Sequence, residues 1–413
     1  MPNPLLPSHI RNDHKLRIAL FGARGIPHTY SGTETFFVEL APRLAARGHD
    51  VIVYCRRQLF KDRPPSYRGV RLIYLPSIET KNLGTFTHTL ACMLDVLFRR
   101  VDVMLVTNVA NGFHCVIPRL LGKNCAINVD GVEWKRGKWG PVGKRYFYWN
   151  AKLIGKICPR GIITDAYEMR RIYLEEFNTP SACIAYGGNI EPAQNPDVVR
   201  QYGLEPGKFY LIASRLVPEN NADMIVDAFR QLRSDKLLAI AGDANYRSEW
   251  VRRLKAGADA RVRFLGHVGS PDHVKELHGA AYAYIHGHSM GGTNPALLKA
   301  LAYGNCVLAF GTPFNREVVS DYALLFEDAA DLAAKMQMIE DNPAVAQQLR
   351  KRAPQRIREA YSWEHITDQY EEFFYRMATG ENPTLTHSSV TRLSEEANVL
   401  ASAGITGSAG GGH

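Results

Sequence analysis

Short apolar runs, each bounded by glycine, proline or asparagine, alternate along the chain with longer stretches of helical period, and this alternation predicts an α/β protein. Strands are expected at 17–21, 51–54, 70–75, 101–107, 124–129, 161–164 and 182–185 in the first half. A second series is expected at 209–213, 237–241, 262–265, 281–285, 306–310 and 323–326. After the first strand comes the loop GARGIPHTYSG, and Thr33 is expected to cap a helix carrying Phe36, Phe37, Leu40 and Leu44. Pro42 should bend or shorten that helix, and Gly48 should stop it.

The stretch YIHGHSMGGTNPALLKALAYGNCVLAF, 284–310, reads as strand, glycine loop, short helix and strand. Asn294 suits an N-cap, Pro295 the first helical position and Gly304 the residue after the last turn. Within 295–303 the only charge is Lys299, so the helix is expected to be buried and the lysine needs a reason. Amides around Gly291, Gly292 and Thr293 at a helix N-terminus make an anion site. The alternative is an ordinary turn, with a lysine whose stem packs and whose head reaches water.

The strand, glycine loop, helix and strand that open the chain are Rossmann-like, but GARGIP lacks the GxGxxG spacing and no acid ends the second strand, which argues against a nicotinamide enzyme. The stretch GGNIEPAQNPDVVRQYGLEP, 187–206, reads as a linker. The organisation expected is a first doubly wound domain at 1–190, a linker at 191–207 and a second doubly wound domain at 208–360. A helix at 361–377 is expected to return to the first domain, and the polar Gly/Ser-rich tail 378–413 to be disordered.

Composition narrows the class. With 413 residues, 46% apolar and 10% aromatic, the chain is a core-forming globular protein, and no apolar run is long enough to span a bilayer. The first dozen residues lack the apolar core of a secretory signal, so a cytoplasmic location is expected. Seven scattered cysteines without a CxxC pair are expected to be reduced thiols, with no metal site. The net charge of +9 calls for an anionic partner. Trp134 to Arg160 holds eight lysines and arginines and no acid, interleaved with Trp139, Tyr146, Phe147, Tyr148 and Trp149. Three readings stand: an anionic membrane surface, a helix with core aromatics and solvated lysines, or nucleic acid, for which no recognisable motif is present.

The motifs GARGIPHTYSGTETFFVELAPRLAARGHDVIVYCR, NVDGVEWKRGKW, SRLVPENN, AGDANY, HGHSMGGTNPALLKALAYGN and YSWEHITDQY occur in order from about Arg17 to Met377. Together they resemble the retaining family 4 glycosyltransferases of the GT-B fold, and within them the rhamnosyltransferase-like branch that builds bacterial surface polysaccharides. The resemblance implies two doubly wound Rossmann-like domains with a cleft between them. It implies a nucleoside diphosphate sugar as donor, held mainly by the second domain, with no cofactor. It also implies a saccharide or polyprenyl-pyrophosphate-linked acceptor, held mainly by the first domain at the inner membrane face.

Carried onto this chain, the resemblance gives the donor Gly32, Arg215, Asn220, Asp243, His288, Gly291, Gly292, Thr293, Asn294 and Lys299. Arg215 is expected at the diphosphate, where a permanently charged fork suits the task; a surface ion pair with Glu219 is the alternative. Asn220 stands where many relatives have a lysine. Gly291 and Lys299 stand where the family has two glutamates seven residues apart, and an ammonium has no acceptor for a ribose. Either Lys299 reaches phosphate, or donor binding is impaired and the chain is a GT-B-derived binding protein. Asp130 and Glu133 are candidates for accepting the acceptor hydroxyl's proton. Glu34 is a third catalytic candidate or a helix-end stabiliser, and His114 and His288 are sugar contacts or structural histidines.

Overall fold

The computed structural model describes residues 15–27, 32–80, 83–129, 131–137, 139–243 and 249–385. Asp130, Lys138 and most of the expected tail lie outside the described residues. The first domain holds eight strands: β1 (Arg17–Phe21), β2 (Asp50–Arg56), β3 (Ser66–Tyr67), β4 (Val70–Leu75), β5 (Val103–Thr107), β6 (Cys125–Val129), β7 (Ile162–Thr164) and β8 (Ala182–Cys183). Their spatial order is β3-β4-β2-β1-β5-β6-β7-β8. All pairs are parallel except β3 with β4. Strands such as β5 and β6 are buried along their whole length, because helices cover both faces, and this is why they read as unbroken apolar runs.

The second domain holds six parallel strands: β9 (Phe209–Ala213), β10 (Leu237–Ala241), β11 (Val262–Gly266), β12 (Ala283–His286), β13 (Val307–Phe310) and β14 (Leu324–Phe326). Their order is β11-β10-β9-β12-β13-β14. Each sheet reverses its winding once, between β1 and β5 in the first and between β9 and β12 in the second. Loops leaving the carboxyl ends of strands at such a reversal open a crevice, the usual ligand position in doubly wound sheets.

Several expectations need correction. The first helix runs Gly32–Ala46, so Thr33 lies in its first turn rather than capping it. Pro42 neither ends nor shortens it; the helix continues one further turn. The strand β3 went unread because it has only two residues; it is one arm of a hairpin closed by Arg68 and Gly69, both at positive φ. The segment expected to be a linker is packed. Its turn Pro196–Tyr202 buries Val199 against the second domain, and Glu276 accepts hydrogen bonds from the Gln194 and Asn195 amides.

The chain ends by crossing back. The helix Trp363–Ala378 packs on Gly32–Ala46, and its Tyr370 hydroxyl accepts from the Asn128 amide at 2.9 Å. Phe36, Tyr186, Trp363 and Tyr370 form one aromatic cluster that belongs to both ends of the chain. Residues 379–385 continue past this helix, with Thr384 buried, so packed structure extends beyond 378, where the tail was expected to begin. A second tie comes from Glu317, whose carboxylate accepts from the Tyr167 and Glu168 amides. It caps the first-domain helix Tyr167–Phe177, which has no cap of its own.

Candidate functional site

Between the domains lies a cleft of about 560 Å³, and the loops that line it leave the two reversal points of the sheets. From the first domain come Gly32, Thr33, Asn108, Glu133 and Arg136; from the second, Ser214, Arg215, Asn220 and the loop and helix from His286 to Lys299.

The glycine loop is held before any ligand arrives. Ser289 bonds Glu219 through both its amide and hydroxyl, the Asn315 amide donates to His288 O, and Asn221 donates to Gly287 O. Gly291 sits at φ +113°, which disfavours any side chain, and a Cβ there would lie 3.0 Å from Arg136 Nη2. At Gly292 a Cβ would overlap the carboxylate of Asp165, which reaches across from the first domain, while the Thr293 hydroxyl donates to Asp165 O. The helix Pro295–Ala302 then begins with the Asn294 side chain accepting from the Ala296 amide at 2.9 Å, as an N-cap should. Leu297, Leu298, Ala300 and Leu301 are buried, so this N-terminus is fixed at the cleft.

Four charged side chains line the cleft: Arg136, Arg215 and Lys299 against the carboxylate of Glu133. Arg215 is exposed and makes no ion pair among the described residues, so the expected alternative of a pair with Glu219 is not formed. Its loop is pinned from behind, where the Leu216 amide donates to Asp243 O and the Ser214 amide to Ala241 O. Asp243 itself is exposed and lies off the cleft. Lys299 is open to solvent by surface area, yet enough protein surrounds its ammonium to lower its pKa by desolvation, opposed by Glu39 and Glu191. Both statements hold for a group on the floor of a water-filled cleft, which is exposed but poorly hydrated.

Asn220 is fully engaged: its Nδ2 donates to Arg215 O at 2.7 Å, and its Oδ1 lies 2.6 Å from His288 Nδ1. Since the Asn220 oxygen can only accept, His288 carries its proton on Nδ1 and turns an acceptor Nε2 outward. Burial, then Arg136 and Arg215, lower His288 to about 4, so it is neutral. His278 and His286 also line the cleft, are buried, and are held at about 3, each with a ring nitrogen lacking a partner among the described residues. The cleft thus offers cations, amides and neutral imidazoles.

Of the expected catalytic residues, Glu133 lines the cleft, where it accepts from Trp139 Nε1 at 2.7 Å and pairs with Arg136 at 2.8 Å. Glu34 is buried, accepts from the Arg24 amide at 3.0 Å and does not line the cleft, so its carboxylate holds the loop after β1. His114 is buried beside Phe86, away from the cleft, its pKa lowered by burial. Asp130 falls outside the described residues. Reasoning from sequence missed Arg136 as a site residue, along with Asp165 and His278, because the first two come from other loops than the glycine loop and the third from a helix. It also missed three buried thiols, Cys115, Cys125 and Cys158, whose sulfurs lie within 4.8 Å of one another on the far side of the first sheet's core.

Comparison with solved structures defines the architecture. Sucrose-phosphate synthase from Thermosynechococcus elongatus superposes with a TM-score of 0.72 at 18% identity, over 89% of this chain and 100% of that one. HepE of Anabaena in complex with UDP-glucose gives 0.68 at 14%, over 87% and 99%, and a glycosyltransferase from Rickettsia africae gives 0.68 at 14%, over 89% and 99%. The fold is GT-B: two Rossmann-like domains facing one another across the cleft. Residues 195–356, most of the second domain, match the model of the glycosyl transferases group 1. Residues 96–189 match a domain of unknown function (DUF1972), and no curated protein matches the chain.

Proposed function

We propose that the protein is a glycosyltransferase that moves a sugar, rhamnose being favoured, from a nucleoside diphosphate to a saccharide or lipid-linked saccharide, acting in polysaccharide synthesis at the inner face of the plasma membrane. The observation that carries this reading is the combination, in one cleft, of the Gly291–Thr293 loop at a helix N-terminus with the cations Arg136, Arg215 and Lys299. A diphosphate leaving group needs such a constellation, and three cations lining one cleft supply it from the protein itself without calling on a metal. In the transfer, the bond from the sugar's anomeric carbon to the phosphate oxygen breaks and a bond to the acceptor oxygen forms on the same face. The acceptor's proton goes to Asp130 or to the departing phosphate. Glu133, held by Arg136 and Trp139, then acts by fixing Arg136.

A second reading, a GT-B-fold protein that binds but does not transfer, draws on that same engagement of Glu133 and on the absence of a carboxylate at Gly291 and Lys299. Calorimetric titration with UDP, GDP, ADP and dTDP, followed by product analysis with the nucleotide sugar that binds, separates the two. Transfer predicts one tight nucleotide, weakened in Arg215→Ala and Lys299→Ala by about tenfold or more each, as expected for charge-assisted contacts to phosphate. Tight binding with only donor hydrolysis or no turnover would favour the second reading. No binding of any nucleotide to the folded protein would remove the transfer reading and favour the second, in which donor binding is lost.

A further inference from the structure

Large apolar side chains that stay exposed are ordinarily scattered singly over a surface. Here most of them gather on three neighbouring elements of the first domain: the helix Leu83–Leu97, the segment 109–121 and the helix Pro141–Ile157. In the first helix Cys92, Met93 and Val96 face the sheet, while Leu83, Phe86, Leu90 and Leu94 form a stripe on the outer side, where a surface helix ordinarily carries charge. Phe98, just beyond, is 92% exposed, and Leu120 in the middle segment is 79% exposed. In the third helix Phe147, Ala151 and Ile154 turn inward, while Val142, Tyr146, Trp149 and Leu153 recur outward at the same spacing. The stripes adjoin through the middle segment, since the Phe86 ring centre lies 4.4 Å from that of His114 and the Tyr146 hydroxyl donates to Ala110 O at 2.7 Å.

The rim of this face is basic. Lys144, Arg145, Lys152 and Lys156 follow the third helix, with Arg119 and Lys123 beside it, and none makes an ion pair among the described residues. Lys152 Nζ stands 5.4 Å from the Trp149 ring centre. A protein–protein interface would be depleted in lysine, whereas aliphatic stripes, interfacial aromatics and lysines reaching over them are what an in-plane helix presents to anionic lipid. The face also differs from the basic aromatic segment as sequence draws it: Trp134 and Phe147 are buried and Trp139 is tied to Glu133, while most of the exposed large apolar side chains come instead from residues 83–98 and 113–121.

We propose that this three-element face seats the protein on an anionic lipid bilayer, its stripes at the acyl boundary and its lysines and arginines among the headgroups. Asn108 lines the cleft and caps the turn that carries Phe113 onto the face, so a lipid-linked acceptor held in the bilayer would emerge beside the cleft. That last use rests on the transfer reading; the lipid seat does not.

The test is co-sedimentation of the full chain with vesicles of phosphatidylcholine alone or with about one third phosphatidylglycerol, without nucleotide. Binding is expected with phosphatidylglycerol and weak without it. Replacing Lys144, Arg145, Lys152 and Lys156 by Gln should lower partition on the order of several hundredfold, at roughly fivefold per charge. The variant Phe98→Ser/Leu120→Ser/Val142→Ser should lose the part of binding that survives high salt, and because these are the most exposed positions of the face its melting temperature should not fall. Equal recovery with both vesicles, or variants that bind like the parent, would overturn the proposal. So would a concentration-dependent dimer lost in the triple-serine variant, which would assign the face to a second copy. Because no nucleotide is present, a failed nucleotide titration and a failed vesicle assay are separate results.

Discussion

Acidification from pH 7.5 to 5.5 should destabilise the protein steeply, because it buries histidines in the neutral form. Burial, with Lys299 nearby, holds His278 at about 3; burial, with His288, holds His286 at about 3; burial, with Arg56, holds His88 at about 4, and burial, with Arg136 and Arg215, holds His288 at about 4. An unfolded histidine titrates near 6.5. The folded value lies below the unfolded one, so between them the unfolded chain takes up a proton that the folded chain refuses. Stability is therefore complete above about pH 6.5 and is lost as pH falls toward the folded value. At pH 5.5, one unit below 6.5, each histidine costs about 1.4 kcal/mol, and the four together about 5–6 kcal/mol. Set against a typical total of about 5–15 kcal/mol, that is a large fraction.

Carboxylates cannot produce the same loss in this window. Asp95 and Glu371 are held low despite their burial, by Arg99 and Tyr54 in one case and by His49 and Arg47 in the other, and they begin to matter only below about pH 4. Urea midpoints at pH 7.5, 6.5 and 5.5 measure the effect. The variant His278→Gln/His286→Gln keeps neutral polar groups in place and should recover about half of the pH-dependent loss, whatever its own stability at pH 7.5. A midpoint flat across the window, or a slope unchanged in the double variant, would refute the assignment of neutral buried histidines to the cleft.

Gly292→Ala should lower both the melting temperature and nucleotide affinity, since its Cβ would overlap the Asp165 carboxylate; pairing it with Asp165→Ala should restore part of the melting temperature, read by calorimetry. Tyr370→Phe removes the oxygen that accepts from Asn128 Nδ2 in a buried setting, and should cost about 1–3 kcal/mol in urea unfolding. Glu317→Gln weakens the cap that the second domain places on the helix Tyr167–Phe177, and should cost about 1 kcal/mol, seen as a lower melting temperature.

The strands were legible because doubly covered parallel strands must be apolar on both sides, which leaves runs such as VMLVT in β5 and FYLIA in β9 that nothing else in the chain imitates. The glycine loop was legible for a related reason: its glycines, its Asn294 cap and Pro295 act within ten residues of one another, so their chemistry is local. What could not be read depends on distant partners. Pro42 looks like a helix breaker in isolation, yet its helix packs on Trp363–Ala378 and survives it. The segment 191–207 has linker composition, but Glu276, about eighty residues on, fastens its backbone. Arg136 reads as one charge in a basic run; only the fold brings it to Gly291, more than 150 positions away.

That approach of Arg136 to Gly291 bears on the question the sequence left open at Gly291 and Lys299. A side chain at 291 would need positive φ and would meet a guanidinium 3.0 Å from its Cβ, so the position is closed to any residue that does not displace Arg136. Arg136 instead takes its counter-charge from Glu133, three residues earlier on its own turn. The first domain therefore delivers a cation to the glycine loop with its carboxylate already matched, while Arg215 and Lys299 make no ion pair among the described residues and Lys299 feels only the field of Glu39 and Glu191. Arg215 and Lys299 stand on the second domain's wall and Arg136 on the first, so the positive charge of the cleft is divided between its two walls. A ligand carrying two or more negative charges can be attracted from both walls at once. Its binding should therefore draw the domains together as well as fill the site, and charge, more than any single hydrogen bond to a ribose, should decide which ligands do so.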